Sequence, residues 1–326
     1  MTKKRVLSGM RPTGKLHLGH LLGALSNWKK FQEEYDCYYM VADLHALTTA
    51  YLDTAHLKED IKDMVIDWLS VGLDPERCVI FRQSEIPHHT ELHFFLSCLT
   101  PLPWLERCPT YKEQQNELKH LDLHTYGFLG YPLLQTADII LYKAQLVPVG
   151  VDQLPHLELS REITRRFNNF YGEVFPLPES KLTEVPKLPG LDGRKMSKSY
   201  HNCIYLSDSE EEIKRKVRQV ITDPARIHPT DLGHPEVCNL FTFHQAFNQA
   251  AVSQVEEECR TGKRGCVACK KELARALIES LSEIHTRRRE LLEEPERIWH
   301  ILERGRQKAQ QAASATMEEV RKAMRF

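Results

Sequence analysis

The chain has 326 residues, a formal net charge of −1 at pH 7, and 41% hydrophobic residues. At this length it can bury a substantial core, and one large domain with a smaller one is the expected organisation. The balanced charge excludes a binder of nucleic acid that relies on a global positive field, and the sequence contains no apolar stretch long enough for a membrane span or a signal peptide. We therefore expect a cytoplasmic protein, without a membrane partner, whose nine cysteines do not form a disulfide framework.

A strand, a tight turn and a helix are predicted in succession near the N-terminus. Residues 5–8 have strand character, two glycines and a proline form the turn, and apolar residues then recur at helical spacing. His17 and His20 lie three apart in the first helical turn, and Gly19 between them leaves room for a flat ligand near the backbone. Free amides and the positive end of the helix dipole favour phosphate. This stretch predicts a nucleotide site.

The same stretch allows two other interpretations. Gly9-x4-Gly14-Lys15 approximates the P-loop pattern, but Leu16 stands where a P-loop has a Ser or Thr hydroxyl for magnesium. In the second alternative, the two histidines are ordinary polar residues near a helix cap. Taken alone, the histidine pair favours this simpler interpretation.

The following elements predict a parallel sheet. Residues 36–42 and 78–81 have the pattern of buried strands, and residues 54–71 form an amphipathic helix pattern. Strands that alternate with helices imply right-handed crossovers, and hence an α/β fold with a parallel sheet. In such sheets ligands bind beyond the carboxyl ends of the strands, where Asp43 and His45 are expected together with the N-terminal turn.

The middle of the chain contains histidines at helical spacing and then a break in the pattern. His89 and His93 are four apart, a spacing that suits zinc on one helix face, but no third ligand stands at a diagnostic spacing. We interpret them as surface or core histidines. Prolines and a polar run interrupt the pattern at about 101–128, which indicates an insertion.

An apolar run at 130–142 is predicted to be helical and contains one acidic residue, Asp138. A carboxylate among apolar residues needs a partner, because burying it unpaired is costly. The ring N–H of a substrate would serve. A protein donor, or a position on the wet side of the helix, would serve as well.

A basic loop follows a stretch rich in proline and glycine. Lys195-Met-Ser-Lys-Ser199 places two lysines around small hydroxyl residues, with Arg194 beside them. Such a loop suits the transient neutralisation of a polyphosphate, although a basic loop alone is usually a solvated surface.

From about residue 206 the pattern is helical throughout. This region contains Cys238-x20-Cys259-x6-Cys266-x2-Cys269, which indicates a metal centre rather than a disulfide set in the cytosol. Zinc and a four-iron cluster both suit four thiolates. Basic residues surround the cysteines and are either a wet face or a contact for RNA, namely Arg260, Lys263, Arg264, Lys270 and Lys271.

Two distant motifs together carry a family resemblance. His17-Leu-Gly-His20 and, far down the chain, Lys195-Met-Ser-Lys-Ser199 resemble the two signature motifs of the class I aminoacyl-tRNA synthetases. The runs at 147–159 and 161–168 resemble the tryptophanyl branch of that class, and the similarity covers residues 5–205. The resemblance implies a Rossmann-like catalytic domain at 1–205 and a helical anticodon-binding domain at 206–326. It also implies a homodimer that uses the insertion, and a last helix that returns to the body.

The implied reaction is the activation of L-tryptophan by ATP and Mg2+ to tryptophanyl-adenylate, followed by transfer to the terminal ribose of tRNA-Trp. The tryptophan carboxylate attacks the α-phosphate, so the protein positions the substrates and stabilises charge. Catalysis is implied for His17, His20, Lys112, Lys195 and Lys198. ATP binding is implied for Met10, Arg11, Thr13, Gly19, His20, Gly150, Asp152, Lys195, Met196, Ser197 and Lys198, with His156 also bordering the nucleotide. Tryptophan binding is implied for Leu7, His45, Tyr131, Gln135, Asp138 and Gln153, with Asp138 accepting the indole N–H.

The resemblance also bears on the cysteines. Some members of the tryptophanyl branch carry a [4Fe–4S] cluster on a similar pattern, which favours such a cluster at Cys238, Cys259, Cys266 and Cys269. A Zn2+ site and free thiols are the alternatives.

Three alternative functions remain at this point. Asp138 can accept a phenol O–H as well as an indole N–H, so a tyrosine-specific enzyme of the same class is one alternative. A nucleotidyltransferase that shares the HxGH turn is another, and it would need neither Asp138 nor the cysteine-bearing helices. A non-catalytic RNA-binding relative is disfavoured, because both motifs keep their histidines and lysines.

Overall fold

The computed structural model describes residues 3–109, 111, 123–182, 188–228 and 230–326. Its sheet has five strands, all parallel, in the order β3-β2-β1-β4-β5. The strands are β1 (Arg5–Met10), β2 (Asp36–Val41), β3 (Cys78–Arg82), β4 (Leu146–Val149) and β5 (Glu179–Leu182). The predicted α/β fold with a parallel sheet is confirmed. The exposed strand β5 was not predicted, because its residues show no apolar pattern.

Helices cover both faces of the sheet and make up the C-terminal region. The α-helices in the described ranges are α1 (Leu18–His20), α2 (Ser26–Glu34), α3 (Asp43–Ala50), α4 (Leu57–Val71), α5 (His88–Ser97), α6 (Leu102–Glu106), α7 (Tyr126–Leu129), α8 (Tyr131–Leu141), α9 (Leu154–Tyr171), α10 (Glu210–Gln219), α11 (Asn239–Phe247), α12 (Val252–Arg260), α13 (Cys266–Glu293) and α14 (Pro295–Met324). None of them combines the length and the apolarity needed to cross a membrane. Of the insertion predicted at 101–128, the described parts include α6 and the start of α7.

The N-terminal helix is interrupted just after the predicted nucleotide turn. A π-helical turn at Leu21–Leu25 joins α1 to α2, and the Ser26 hydroxyl donates to the carbonyl of Leu21. Single π-helical turns inside helices are frequent at functional sites. Here the turn lies between α1, which carries His20, and α2, where Trp28 stacks on Tyr39 with ring centroids 4.5 Å apart.

The last helix returns to the sheet along a much greater length than the predicted segment 317–324. Helix α14 packs against β3, and Gly305 makes this close approach possible: a Cβ at this position would lie 1.7 Å from the carbonyl oxygen of Ile80. Only glycine fits a contact of helix backbone on strand backbone at this distance.

The hydrophobic core is continuous across residue 205. Leu273 and Leu277 of α13 belong to the same buried cluster as Val6 of β1 and Trp28 of α2. The division into domains at 1–205 and 206–326 is therefore not marked by a gap in the core, and it stays a prediction.

Candidate active site

A cavity of about 330 Å³ opens beyond the carboxyl ends of the central strands. This is where a parallel sheet places its ligands. All six residues predicted for tryptophan binding line the cavity: Leu7, His45, Tyr131, Gln135, Asp138 and Gln153. Strand β1 supplies Leu7, α3 supplies His45, and α8 supplies Asp138 and two more of the set, so the fold brings these predicted residues together.

Asp138 is the charged centre of the cavity and is only 2% exposed. Its Oδ1 accepts hydrogen bonds from Gln83 Nε2 at 2.8 Å and His89 Nδ1 at 2.6 Å. Its Oδ2 lies 2.7 Å from His45 Nε2. Burial alone would raise the pKa of this carboxyl, but His45 and His89 outweigh it and hold the pKa well below its ordinary value. Asp138 is therefore an ionised carboxylate that already has protein partners, as one of the sequence-based alternatives expected.

Two residues of this network, Gln83 and His89, were not among the site residues predicted from the sequence. Gln83 follows β3 directly, and a polar side chain at the carboxyl end of a strand is a signal that sequence reasoning can use. His89 is fully buried, and its Nε2 lies 2.8 Å from the Tyr142 hydroxyl. His89 is thus a core histidine, as interpreted from the sequence. The neighbouring His93 instead contacts the ring of Tyr126.

A second polar chain borders the cavity on the side of α9. The hydroxyl of Tyr131 lies 3.3 Å from His156 Nε2, and the thiol of Cys108 lies 3.5 Å from His156 Nδ1. Burial, reinforced by the positive potential of His45, lowers the pKa of His156 to about 4. His156, which the resemblance places beside the nucleotide, lines the same cavity as Asp138 and contacts the tyrosine expected at the amino-acid head group.

The histidines of the turn have fixed orientations. His17 Nδ1 accepts the backbone N–H of Gly19 at 3.1 Å, and His20 Nδ1 accepts the backbone N–H of His17 at 3.1 Å. A neutral ring that accepts at Nδ1 carries its proton on Nε2, so both rings offer an N–H donor on their free side. Burial, followed by the charge of Lys198, lowers the pKa of His17 to about 4. Burial, His17 and Lys198 lower that of His20 to about 3. Both histidines are neutral at pH 7.

The structure brings the basic loop onto the turn through Lys198. Its Nζ donates to the carbonyls of Thr13 and Gly14, both at 2.9 Å. Burial lowers the pKa of this lysine below its ordinary value. An antiparallel bridge between His17 and Tyr205 holds the two segments together just beyond this contact. The two motifs, far apart in the sequence, are therefore in contact in the structure.

The other predicted nucleotide residues are placed less uniformly. Lys195 is exposed, whereas the side chain of Met196 is buried in the core, so any contact of Met196 with a nucleotide would involve its backbone. Arg11 lines the mouth of the cavity. Asp152 follows Gly150 and lies against the amide of Gln153. Lys112 lies outside the described residues.

The four cysteines come from the ends of three helices. Cys238 precedes α11, Cys259 lies in the last turn of α12, and Cys266 and Cys269 lie in the first turn of α13. Burial, opposed by the charge of Arg264 and reinforced by the other three thiols, raises the pKa of Cys269 to about 12, so the four sulfurs interact electrostatically. No group of three or more His, Cys, Asp or Glu residues in the described part of the chain is arranged for metal binding. The donor set suits a metal, and the arrangement described here is not a formed metal site.

The basic residues near the cysteines are not all available to RNA. Arg264 is 10% exposed and pairs with Glu258 and Glu272, which identifies it as a structural ion pair. Arg260 pairs with Glu256 at 2.9 Å and with Glu236 at 3.1 Å. The two carboxylates enclose the guanidinium of Arg264, so of the predicted RNA contacts this one is the least accessible, and it stays a prediction. The exposed lysines Lys263 and Lys271 keep that possibility.

Three features define a class I aminoacyl-tRNA synthetase. They are the parallel sheet, the turn with His17 and His20 at its carboxyl edge (the HxGH turn), and the basic loop Lys195–Ser199 (the lysine loop), which is closed onto that turn. Residues 2–282 match the family described as tRNA synthetases class I (W and Y). Curated relatives extend the match over the whole chain. The tryptophan–tRNA ligase of Thermotoga maritima is 52% identical over 323 residues, with 98% of each chain covered. That of Aquifex aeolicus is 43% identical over 391 residues, covering 98% of this chain and 99% of the relative.

Solved structures agree. The tryptophanyl-tRNA synthetase of Campylobacter jejuni, complexed with ADP and tryptophan, superposes with a TM-score of 0.90 at 34% identity, covering 99% of this chain and 100% of the other. The chain belongs to the tryptophan–tRNA ligases. It is therefore an enzyme whose substrates are tryptophan, ATP and tRNA, with the Mg2+ that is general to class I synthetases. The tyrosine-specific and nucleotidyltransferase alternatives are thereby excluded.

Proposed function

We propose that Asp138 selects tryptophan by accepting the indole N–H, and that this selection acts through a carboxylate fixed before the substrate arrives. One observation carries the proposal: Asp138 lies in the cavity with its charge held by three protein donors. A carboxylate oxygen can accept two hydrogen bonds. Among the described residues, Oδ1 accepts from Gln83 and His89, and Oδ2 only from His45, so an acceptor position on Oδ2 is left for the substrate.

Residues around the carboxylate support the same assignment. Gln135 and Gln153 line the cavity together with Tyr131, and these polar side chains suit the amino and carboxylate groups of an amino acid. Leu7 supplies an apolar wall for the indole. A phenylalanine side chain would bring no donor to Asp138, so its binding would forfeit a charged hydrogen bond.

In the activation step, we assign the turn and the loop to the phosphates of ATP. The Nε2–H groups of His17 and His20 are neutral donors, and Lys195 and Lys198 are cations on the facing segment. The carboxylate of tryptophan attacks the α-phosphate and pyrophosphate leaves, so negative charge grows on the phosphates. Donors placed in advance stabilise that charge without reorganisation. Mg2+ on the polyphosphate, and Lys112 of the insertion, complete the proposed set.

Amino-acid-dependent exchange of pyrophosphate into ATP tests these assignments. Exchange with tryptophan, and not with tyrosine or phenylalanine, is expected for the wild type. Asp138→Asn keeps the volume and one acceptor, so it is expected to retain part of the selectivity that Asp138→Ala loses. Unchanged selectivity in a folded Asp138→Ala protein would refute the role of Asp138.

For the cysteines, we propose a [4Fe–4S] cluster held by Cys238, Cys259, Cys266 and Cys269, with Zn2+ as the alternative. The donor chemistry supports a thiolate-bound metal, and the Arg226 guanidinium, 3.7 Å from the sulfur of Cys259, opposes the burial that raises the pKa of this thiol. Bound there, the group would cross-link three helix ends. Iron, acid-labile sulfide and zinc contents of anaerobically purified protein decide between the two, and protein without any metal would refute both.

The same helices are the proposed site of tRNA recognition, within the proposed anticodon-binding domain at 206–326. Replacing Lys263 and Lys271 with Gln is expected to raise the KM for tRNA about fivefold while sparing adenylate formation, because exposed lysines contact phosphate. Arg264→Gln is the matched comparison and is expected to lower stability instead. Equal losses in the tRNA and adenylate assays would count against the assignment.

A homodimer is the proposed assembly, and the cytoplasm is the proposed location, where ATP and tRNA are available. Exposed apolar side chains lie at the two described ends of the insertion, with Leu102 57% and Tyr126 63% exposed, and before it, with Phe94 64% exposed. Phe94→Asp combined with Leu102→Asp is expected to halve the mass measured by light scattering. Ile227→Asp, at another exposed apolar residue, serves as the control. A wild-type monomer would refute the proposal.

A further inference from the structure

The backbone just before the HxGH turn is held on both sides. The carbonyl of Leu16 accepts the N–H of Leu206 at 2.9 Å, from the segment that follows the lysine loop. The N–H of Leu16 donates to Asp67 Oδ2 of α4 at 3.4 Å. Leu16 is 1% exposed, so its backbone N–H and carbonyl depend on these protein partners and not on water.

Both partners of Leu16 are in turn held by the same helix, α13. His285 Nε2 lies 3.0 Å from the carbonyl of Leu206. Arg288, one helical turn further on, pairs through Nη1 with Asp67 Oδ1 and through Nη2 with Asp63 at 3.3 Å. His285 and Arg288 share a helix face because they are three residues apart. Leu16, Leu206, His285, Arg288 and Asp67 therefore form a closed set of contacts, which we call the clamp.

The clamp is buried and charged, which makes its geometry demanding. The side chains of Arg288 and Asp67 are 10% and 2% exposed. Burial raises the pKa of Asp67 to about 6 in spite of Arg288, so water is a poor substitute for any lost partner. A buried ion pair is weak evidence for stability, and a hydrophobic pair of similar volume would pack as well. A positional role explains its presence better.

We propose that His285 and Arg288 are positioning residues for ATP activation: through Leu206 and Asp67, α13 sets the position of the HxGH turn relative to the lysine loop. The turn bears His17 directly after Leu16, and Lys198 of the loop contacts the carbonyls of Thr13 and Gly14 just before it. The bridge between His17 and Tyr205 joins the same two segments. A small displacement of Leu16 is passed to the donors of His17 and His20 and leaves the cavity around Asp138 in place. This inference rests on the proposed role of the turn in ATP binding.

The same helix begins at Cys266 and has Cys269 in its first turn. Helix α13 therefore reaches from the cysteines at its first turn to the clamp at Arg288 as one uninterrupted element of 28 residues. A displacement at the cysteine end is transmitted along this helix as a rigid movement, because every peptide of a helix is bonded to the next turn. The clamp thus gives the C-terminal helices a direct mechanical contact with the catalytic turn.

The test separates KM for ATP from KM for tryptophan in pyrophosphate exchange, with turnover referred to titrated active sites. Arg288→Met and His285→Leu are expected to raise the KM for ATP and to lower kcat, about tenfold in kcat/KM for ATP, while the KM for tryptophan stays within about twofold. His285→Gln retains an N–H donor and is expected to restore most of the loss. Arg289→Met, on the same helix but exposed, is the matched control.

A merely structural role would reduce the number of active sites and leave both KM values unchanged. Any one of three results would overturn the inference. These are fewer active sites with unchanged KM values, a parallel change in the KM values for ATP and tryptophan, and wild-type kinetics in the folded variants. If Arg288→Met does not fold, the pair His285→Leu and His285→Gln decides. His17→Ala is the reference: if it also leaves the KM for ATP unchanged, the proposed role of the turn fails, whereas an effect of His17→Ala alone refutes only the clamp.

Discussion

The amino-acid cavity and the nucleotide turn are built in opposite ways. In the cavity, a buried carboxylate has three donors, from α3, from α5 and from the turn that follows β3, and each is fixed before any substrate binds. At the turn, the ammonium of Lys198 contacts backbone carbonyls of Thr13 and Gly14, which are weak partners for a cation. The first region is preorganised by burial, and the second by contacts between two distant segments. Selection of the amino acid therefore depends on the cavity around Asp138, which we call the rigid pocket. Activation depends on the contact of Lys198 with Thr13 and Gly14, which we call the junction.

The largest effect is expected from breaking the rigid pocket at its centre. Asp138→Ala removes the acceptor and leaves His45, His89 and Gln83 without their common partner. We expect the preference for tryptophan over phenylalanine, measured as the ratio of kcat/KM in exchange, to fall about 10³-fold. Circular dichroism and a thermal melt establish that the variant is folded. A folded variant that keeps the wild-type ratio would show that the selection lies elsewhere.

The next effect is expected at the junction. Lys198→Ala removes the cation and the contact that joins the loop to the turn. We expect kcat for exchange to fall about 10²-fold, with tryptophan affinity unchanged within about twofold in a fluorescence titration. Lys214→Ala, at an exposed lysine of α10, is the control. A loss of tryptophan affinity as large as the loss of kcat would mean that the two regions do not work independently.

The turn histidines predict a pH dependence of stability. The folded pKa values of His17 and His20 are lowered from 6.5 to about 4 and about 3. Between these values and 6.5 the unfolded chain binds protons at these positions and the folded chain does not. Their contribution to stability is therefore complete above about pH 6.5 and is lost as the pH falls through the range below it.

Chemical denaturation at several pH values checks this sign. The free energy of unfolding is expected to decrease as the pH is lowered from 6.5 toward 4. Asp67 offsets part of this decrease, because its folded pKa is raised to about 6 and it takes up a proton in the folded state over the same range. The double replacement His17→Asn with His20→Asn is expected to reduce that slope. It does not abolish the slope, because the pKa of His156 is lowered to about 4 as well. A slope that does not change in the double variant contradicts the assigned burial of these rings.

The features that were predictable from the sequence are those formed by residues close together along the chain, whereas contacts between distant residues were not predictable. Glycines and a proline define the strand, turn and helix of residues 5–20 locally, so that element was predictable from its own residues. The partners of Asp138 come from three elements separated along the chain, and no local pattern pairs them. The clamp is more distant still, since Asp67 and Arg288 are 221 residues apart. The resemblance supplied the roles around Asp138 and nothing about the clamp, because Leu16 acts through its backbone.

The smallest effect is expected at the edge of the rigid pocket. There a single hydroxyl tests whether the rigid pocket and the junction act separately. Tyr142→Phe removes the hydroxyl that lies 2.8 Å from His89 Nε2 and keeps the buried ring. With its Nδ1–H donated to Asp138, His89 accepts from this hydroxyl, so the variant leaves one buried acceptor unsatisfied at a cost of about 1 kcal/mol in unfolding free energy. We expect the KM for tryptophan to rise about threefold, because Asp138 loses part of its support, while the KM for ATP does not change. Tyr200→Phe, at an exposed tyrosine directly after the lysine loop, controls for loss of a hydroxyl. A rise in the KM for ATP with Tyr142→Phe would show that the rigid pocket and the junction are one cooperative unit, and the comparison would then fail.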